Sequence, residues 1–428
     1  MIILLFALLF LFIGLGFSIW TAMGVSGMLY ILIQGDFSLR MLVQTMVGGI
    51  DSTVLAAIPF FICVGQLMNR AGITKKLADF SEFFVGRFRG GLAYVSIVVS
   101  LIMAGVSGSA VADASSVSAV LHPIMKERGY DDEFAVAINS SSAVIGPIFP
   151  PSIPMIFISV VSGLSLGRLF LGGVVPGILM ALFLAVVVAV VSRRKNYRTV
   201  KIEMTFGRFF SLIKDSIFAL IAPMIIIAGV VFGFVTLVEV AALAIFYVLV
   251  ISLFVYRSIT LKDLFPIFRD AAVFSSSIMI IFAVVGLYQY IVAVEQLGDK
   301  LLAVIQGLEM NKHVFLIFTT IFFLLMGCIL DAVPVMLIFF PVLLPIAEEL
   351  GIDPIHFGVI VVLNLMIGLL TPPIGGILFI QTKIGNLEFD SIVRCIWPYT
   401  LTLLAVLVLI TYVPILVTFL PDLIFQGG

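Results

Sequence analysis

Apolar runs long enough to cross a lipid bilayer recur along the whole chain, and they constrain the fold more than any other feature. A crossing helix needs ~20 predominantly apolar residues. Hydrophobic residues make up 62% of the chain and charged residues only 11%, whereas soluble domains carry about 25% charged residues. The sequence therefore predicts an all-α integral membrane protein with about ten to twelve transmembrane helices. The runs occupy 1 to 33, 51 to 68, 169 to 192, 216 to 238, 240 to 256, 314 to 330 and 401 to 420.

Basic residues are concentrated in one polar connection near the middle of the chain. Under the positive-inside rule this connection, 193 to 211, is a cytoplasmic linker between a first half, 1 to 192, and a second half, 212 to 428. The first apolar run has no basic n-region and is too long for a signal peptide, so we interpret it as a retained helix. The net charge of -1 argues against nucleic acid as a partner. The basic residues are Arg193, Arg194, Lys195, Arg198, Lys201 and Arg208.

The two halves repeat each other at an offset of 222 residues. Only glycine and proline matches carry weight, because apolar coincidences are frequent in such a sequence. Chance predicts about 0.5 such matches between 105 and 163, whereas seven occur. They pair Gly105 with Gly327, Pro123 with Pro345, Gly129 with Gly351, Gly146 with Gly368, Pro150 with Pro372, Pro151 with Pro373 and Gly163 with Gly385.

Each copy contains a candidate hairpin followed by an interrupted helix. We predict re-entrant hairpins at about 105 to 126 and 327 to 349, because the first of these segments is too short and too polar to cross the bilayer twice. The next helix is interrupted at 146 to 152 in one copy and at 368 to 374 in the other. Whether the copies are inverted depends on the number of crossings between them, which the sequence leaves open.

Amphipathic stretches precede the two copies, and either interfacial helices or ordinary connecting loops would explain them. Their polar residues are Asp36, Arg40 and Gln44 in the first half and Lys262, Asp263 and Arg269 in the second.

The Pro-Pro pairs in the two interruptions free main-chain oxygens within the membrane. Proline lacks an amide proton and clashes with the preceding helical turn. Carbonyl groups in hydrocarbon must find other ligands, and a hard cation such as sodium suits them. Hydroxyls of Ser107, Ser109 and Thr371 are candidates to complete the shell. A plain proline kink is the alternative interpretation.

Acidic and hydroxyl side chains in apolar surroundings are candidate binding groups. An acid at the bilayer centre costs at least ~2.5 kcal/mol unless it has a partner, so we expect functional roles for Asp113 and Asp331. A structural hydrogen bond is the alternative for Asp113. We place Asp113 and Ser116 with the substrate. Asp331 aligns with Ser109, so the two hairpins carry different chemistry at equivalent points.

These motifs together resemble the large membrane subunit of the tripartite ATP-independent periplasmic (TRAP) transporters of bacteria, over essentially the whole chain. They are Gly105-Val-Ser-Gly-Ser-Ala, His122-Pro-Ile-Met-Lys-Glu-Arg-Gly-Tyr130, Ile148-Phe-Pro-Pro-Ser152, Asp331, Gly351-Ile-Asp353 and Thr371-Pro-Pro-Ile-Gly375.

The resemblance implies inverted repeats and an elevator-type fold in the bacterial inner membrane. It implies sodium-coupled uptake of an organic acid, of the sialic acid or C4-dicarboxylate type, delivered by a periplasmic substrate-binding protein. A separate small membrane subunit would be a further partner. Two or more sodium ions would be co-transported, and no organic cofactor is expected.

The resemblance also assigns binding residues by motif. One sodium site would use Ser107, Gly146, Phe149 and Pro151. The second would use Gly327, Asp331, Gly368, Thr371 and Pro373. Ser109, Ser152 and Asp331 would face the substrate carboxylate and hydroxyls.

Two other functions compete with this interpretation. Gly105-Val-Ser107-Gly108 matches the form that intramembrane serine proteases use around their nucleophile, but such an enzyme needs a neighbouring histidine as base. A sodium/carboxylate carrier of the same superfamily that works without a binding protein is the second alternative.

Overall fold

The computed structural model describes residues 2 to 35, 39 to 197, 206 to 233 and 235 to 425, and every regular element in these ranges is helical. The first half contains α1 (Ile2–Gly14), α2 (Ile19–Gln34), α3 (Leu39–Ile50), α4 (Ala57–Arg70), α5 (Ile73–Val85), α6 (Gly91–Ser107), α7 (Ala110–Glu127), α8 (Asp132–Ala143), α9 (Ile153–Ser162) and α10 (Leu166–Arg194). The second half contains α11 (Phe206–Phe232), α12 (Leu237–Val250, continued by the π-helical Ile251–Val255), α13 (Leu261–Val294), α14 (Leu297–Gly307), α15 (Lys312–Ile329), α16 (Ala332–Glu349), α17 (Pro354–Gly368), α18 (Gly376–Gly385), α19 (Phe389–Tyr412) and α20 (Ile415–Phe425).

The repeat seen in the sequence is a repeat of helices. At the offset of 222 residues, the ends of α7 coincide with the ends of α16, and α6, α8, α9 and α10 correspond to α15, α17, α18 and α19. Gly129 and Gly351 adopt positive φ at equivalent turns after α7 and α16. Each copy is therefore a hairpin of two helices followed by a helix that is broken and resumes.

The polar stretch of the first hairpin is helical, and this sets the position of its tip. Ser115 and Ser116 donate to the carbonyls of Val111 and Ala112, both at 2.8 Å, within α7. Hydroxyls that bond one turn back can be accommodated within a helix. The ranges 105 to 126 and 327 to 349 thus cover a tip and one arm each, and the other arms are α6 and α15.

Six helices in the described ranges are long and apolar enough to cross a membrane: α10, α12 with its π-helical extension, α13, α15, α16 and α19. Shorter apolar helices of 10 to 17 residues accompany them. The all-α membrane fold is thereby confirmed, while the number of crossings stays a prediction. The apolar run 1 to 33 is divided between α1 and α2, and the runs 216 to 238 and 240 to 256 fall in α11 and in α12 with its extension.

The amphipathic stretches before the two copies are helical, in α3 and at the start of α13, so the connecting-loop interpretation is wrong for their described residues. Asp36 lies outside the described residues. The linker is described as far as Tyr197, whose hydroxyl donates to Asp131 at 2.9 Å. Lys195 also bonds Asp131 and holds the pKa of that carboxyl below its usual range.

Two groups of helices pack mainly among themselves. One contains α1 to α4 and α11 to α13, and the other contains α6 to α10 and α15 to α20. In the second group the copies interlock, because α7 packs on α18, and α9 packs on α16. The hairpin of each copy therefore lies against the broken helix of the other copy as well as its own.

The packing of α3 on α13 depends on two glycines whose backbones touch. A Cβ on Gly49 would lie 2.6 Å from the carbonyl oxygen of Phe282 and 3.1 Å from the Cα of Gly286. Gly48, the preceding residue, has no heavy atom within 4 Å of such a Cβ.

We expect Gly49→Val to destabilise the protein by roughly 1–3 kcal/mol, because overpacking forces the helices apart. Gly48→Val is the matched control, since it carries the same change in helix propensity into open space. Thermal unfolding in detergent measures both. Equal melting temperatures for the two variants would show that the crossing tolerates a side chain.

Candidate functional site

The first hairpin tip touches the broken helix of its own copy. Gly108 adopts a left-handed conformation with φ +54°, and a Cβ there would lie 2.9 Å from the amide nitrogen of Ile153. Ser109 caps α7 by accepting from the amide of Ala112 at 3.4 Å. The tip is thus held against the start of α9, where the helix resumes after its interruption.

Asp113 lies beside the first interruption. It is fully buried in the first turn of α7. A Cβ on Gly146 would lie 2.2 Å from its Oδ2 atom, so only glycine permits this approach. The structure thus brings together an acid and a glycine that are separated in sequence and that had been assigned to different sites. A carboxylate at the first turn of a helix is also favoured by the helix dipole.

The chain between α8 and α9 contains a cis peptide bond between Pro150 and Pro151. Ser152 caps α9, accepts from the amide of Met155 at 3.2 Å and donates to the carbonyl of Pro147. Ser152 is fully buried. In this conformation the Ser152 hydroxyl therefore bonds to backbone groups on either side of it and does not face an open space.

Two glycines of α10 make room for the interruption. A Cβ on Gly173 would lie 2.1 Å from the carbonyl oxygen of Ile148, and one on Gly177 would lie 3.0 Å from Phe149. The aligned positions of α19 are Cys395 and Tyr399. The close approach of α10 to the first interruption therefore has no glycine counterpart in α19. For this reason the repeat did not identify Gly173 and Gly177.

The second tip carries its acid at the turn itself. Asp331 caps α16 by accepting from the amide of Val333 at 3.0 Å. Its side chain is exposed. The position aligned with the buried Asp113 is the apolar Val335. The two hairpins thus place a carboxylate at different depths, one sealed and one accessible.

Backbone contact joins the second hairpin to the second interruption. A Cβ on Gly368 would lie 2.6 Å from the carbonyl carbon of Gly327. The Sγ of Cys328 donates to the carbonyl of Thr371 at 3.0 Å, and the Thr371 hydroxyl donates to Ile367 at 2.9 Å. Pro372 and Pro373 are joined by a cis bond, as in the first copy. Three of the five residues assigned to this sodium site, Gly327, Gly368 and Thr371, therefore belong to one set of contacts. Cys328 is an unpredicted neighbour.

A glutamine links the two copies across the site. Gln381 of α18 donates from Nε2 to the carbonyl of Ala114 at 3.0 Å, and its Oε1 accepts from Ser118 at 3.0 Å. Gln381 and Ser118 are fully buried. Because Ala114 follows Asp113, this link ties the helix after the second interruption to the acid beside the first.

A pocket of about 50 Å³ opens between the first tip and α4. Ser109, Ser116, Gln66 and Asn69 contribute its polar lining. Ser116 also donates to Ala112 at 2.8 Å. Gln66 and Asn69 were missed by sequence reasoning, since polar residues near the end of an apolar helix are also typical of the membrane–water interface. The Ser107 side chain lies outside the described set.

The histidines are placed unfavourably for a protease. His122 lies 12 residues along α7 from Ala110, which is ~18 Å of helix, and its ring contacts Asp132 at 3.1 Å. His356 bonds the carbonyl of Ile410 at 2.9 Å, and His313 stacks on Tyr412. No group of three His, Cys, Asp or Glu suited to a metal occurs among the described residues.

Apolar helices enclosing two repeated interruptions, each facing a hairpin tip, define the class of membrane transporters with broken helices. The chain matches the family model "Tripartite ATP-independent periplasmic transporter, DctM component" over residues 6 to 416, and it belongs to that family.

Relatives and a solved structure agree with this assignment. The chain is 35% identical to a sialic acid TRAP transporter large permease protein of Vibrio cholerae, covering 98% of this chain and 97% of that one. It is 36% identical to a 2,3-diketo-L-gulonate TRAP transporter large permease protein of Escherichia coli, covering 95% of each. It shares the fold of the YdaH transporter of Alcanivorax borkumensis, with a TM-score of 0.65 at 14% identity over 87% of this chain and 88% of that chain.

We expect Gly146→Ala to abolish transport, because the added methyl group must displace the Asp113 carboxylate. Gly376→Ala is the matched control at the second interruption, where a Cβ would meet its nearest atom at 3.6 Å. Substrate uptake into liposomes, with folding checked by gel filtration, measures both. Full activity of Gly146→Ala would show that the contact between Asp113 and Gly146 is dispensable.

We expect Gln381→Leu to destabilise the protein by about 1–3 kcal/mol, because it leaves a buried hydroxyl and a buried carbonyl without their partner. Gln306→Leu is the control, since Gln306 is an exposed glutamine that bonds Glu349 at 2.8 Å. Thermal unfolding compares them, and equal effects would contradict a structural link between the copies.

Proposed function

We propose that this chain is the large membrane subunit of a TRAP transporter that couples uptake of an organic acid anion to sodium entry. It would work in the bacterial inner membrane with a small membrane subunit and a periplasmic substrate-binding protein. One group of helices, α6 to α10 with α15 to α20, would move against the other as an elevator.

The observation that carries the proposal is the repeated pairing of a hairpin tip with an interrupted helix. Asp113 packs against Gly146 in one copy, and Gly327 packs against Gly368 in the other. Carbonyl and carboxylate oxygens are ligands that hard cations prefer, and broken helices in transporters coordinate sodium in this way. The first site would use Gly146, Phe149 and Pro151 with Ser107, and the second Gly327, Gly368, Thr371, Pro373 and Asp331.

The pocket beside the first tip is the proposed start of the substrate site. Its lining combines hydroxyls of Ser109 and Ser116 with the amides of Gln66 and Asn69. Such groups suit a hydroxylated acid, because each can bond a carboxylate or a hydroxyl. Asp331 would complete the site from the other tip. The relatives named for sialic acid and diketogulonate are similarly distant from this chain, so identity alone does not select the substrate.

Charge balance provides the driving force. Two sodium ions with a monocarboxylate carry one net positive charge inward, which gains ~2.3 kcal/mol per 100 mV of membrane potential. A dicarboxylate would need a third ion for the same gain. Because the pocket lining offers hydroxyl and amide groups, the proposed substrate is a hydroxylated acid of the sialic acid type, with a C4-dicarboxylate as the alternative.

Asp331→Asn separates the charge of this residue from its structural role. Asparagine caps helices about as well as aspartate, so the bond to Val333 should remain. We expect sodium-dependent uptake to fall at least tenfold with thermal stability nearly unchanged. Uptake would be measured in liposomes with the small subunit and the binding protein present.

Asp353→Asn is the matched control, because Asp353 caps α17 by accepting from the amide of His356 at 2.8 Å, away from the tips. Its uptake should match the wild type. Normal sodium dependence in Asp331→Asn would remove this carboxylate from the proposed site.

The same liposomes discriminate the carrier that needs no binding protein. Uptake by this chain alone, undiminished when both partners are omitted, would favour that alternative. Uptake that requires both the small membrane subunit and the binding protein would support the proposal that these are the partners of the chain.

A further inference from the structure

A continuous apolar stripe runs along the outer face of α10. Its residues recur every four positions, which places them on one side of the helix. Their side chains are 40% to 63% exposed. A stripe of this kind on a transmembrane helix is suited to contact with lipid acyl chains. It consists of Ile178, Leu182, Val186 and Val190.

A half-open pocket of about 350 Å³ lies at the end of this stripe. It is formed where the end of α10 meets the segment that leads into α6. Two guanidinium groups contribute its charge and two aromatic rings its apolar wall. The lining residues are Phe88, Arg89, Tyr94, Ala189 and Arg193.

The residues next to the two arginines are closely packed. A Cβ on Gly90 would lie 2.0 Å from the hydroxyl oxygen of Ser192. The rings of Phe88 and Tyr94 meet edge to face, with centroids 5.9 Å apart. Arg89 and Arg193, each adjacent to one of these contact residues, are therefore held beside one another.

Neither arginine forms an ion pair with a described carboxylate. Among the side chains that the structure describes, no carboxylate lies within 4.0 Å of Arg89 or Arg193. Both side chains are exposed. Two exposed cations beside an apolar wall fit a ligand that is anionic at one end and apolar at the other.

We propose that this pocket binds an anionic glycerophospholipid of the cytoplasmic leaflet. The phosphodiester accepts hydrogen bonds from both guanidinium groups, which match phosphate oxygens in geometry. One acyl chain lies along the stripe of α10. The cytoplasmic side follows from the basic linker that begins at Arg193, so this inference does not rest on sodium-coupled transport.

The experiment is native mass spectrometry of the purified full chain titrated with phosphatidylglycerol or phosphatidylcholine. We expect the wild type to bind phosphatidylglycerol about tenfold more tightly, since basic groups at the membrane surface favour anionic lipid. Arg89→Gln with Arg193→Gln should bring this preference close to one. Arg194→Gln is the matched control, because Arg194 carries the same charge one residue further on and does not line the pocket. It should keep the preference.

Glycerophosphoglycerol and inorganic phosphate test whether the acyl chain matters. Neither compound, at millimolar concentration, should displace the lipid. Displacement by either would overturn the lipid assignment. Equal lipid preference in the double variant and the wild type would overturn the site itself. A double variant that does not fold would be replaced by Arg193→Gln alone, for which retention of the full preference would also overturn the proposal.

Discussion

The need to satisfy main-chain polar groups away from water underlies the whole structure. In hydrocarbon a helix is the simplest way to pair every amide with a carbonyl, and the described ranges are helical almost throughout. The Pro-Pro pairs break that rule at two places, and there the protein supplies close packing instead. Gly173 and Gly177 admit the first interruption, and Gly327 admits the second. The first break is thus surrounded by protein, whereas Pro373 and Ile374 of the second remain exposed. Broken helices persist in membranes where protein buries them or where they line a water-filled cavity.

The repeated backbone and the side chains that differ between the two copies contribute in different ways to the site. The repeat provides two hairpins and two interruptions at corresponding positions, so the main chain is broken twice in the same arrangement. The side chains then differ: Asp113 is sealed beside Gly146, whereas Asp331 caps its helix and stays accessible. A buried acid favours a cation that has lost its water, and an accessible one can meet a larger ligand. Gln381 connects the two environments through Ala114 and Ser118.

The pairing of acid and glycine shows where sequence reasoning reached its limit. Both interruptions, both hairpins and the roles of Asp113 and Asp331 as candidates could be predicted, because each breaks an otherwise apolar helical pattern. The contact between Asp113 and Gly146 could not, since 32 intervening residues fold back between them. Gln66, Asn69 and Cys328 were missed for a related reason. Each is a single polar residue or cysteine on an apolar helix, and only its position in space distinguishes it from a residue at the membrane–water interface or in the core.

The sequence by itself determined that the chain lies in a membrane, that it is helical, that it is duplicated and to which family it belongs. Long apolar runs, prolines and glycines act locally, so their pattern is visible along the sequence. The tertiary structure decided which groups meet, which acid is sealed, how the two copies pack on each other and where two arginines line one pocket beside an exposed apolar stripe. These depend on close contacts that leave no room for a Cβ atom. Two join backbones, Gly49 with Gly286 and Gly327 with Gly368, and one joins Gly90 with the Ser192 side chain. No periodicity encodes such approaches, because each requires two distant positions to be small at the same place in space.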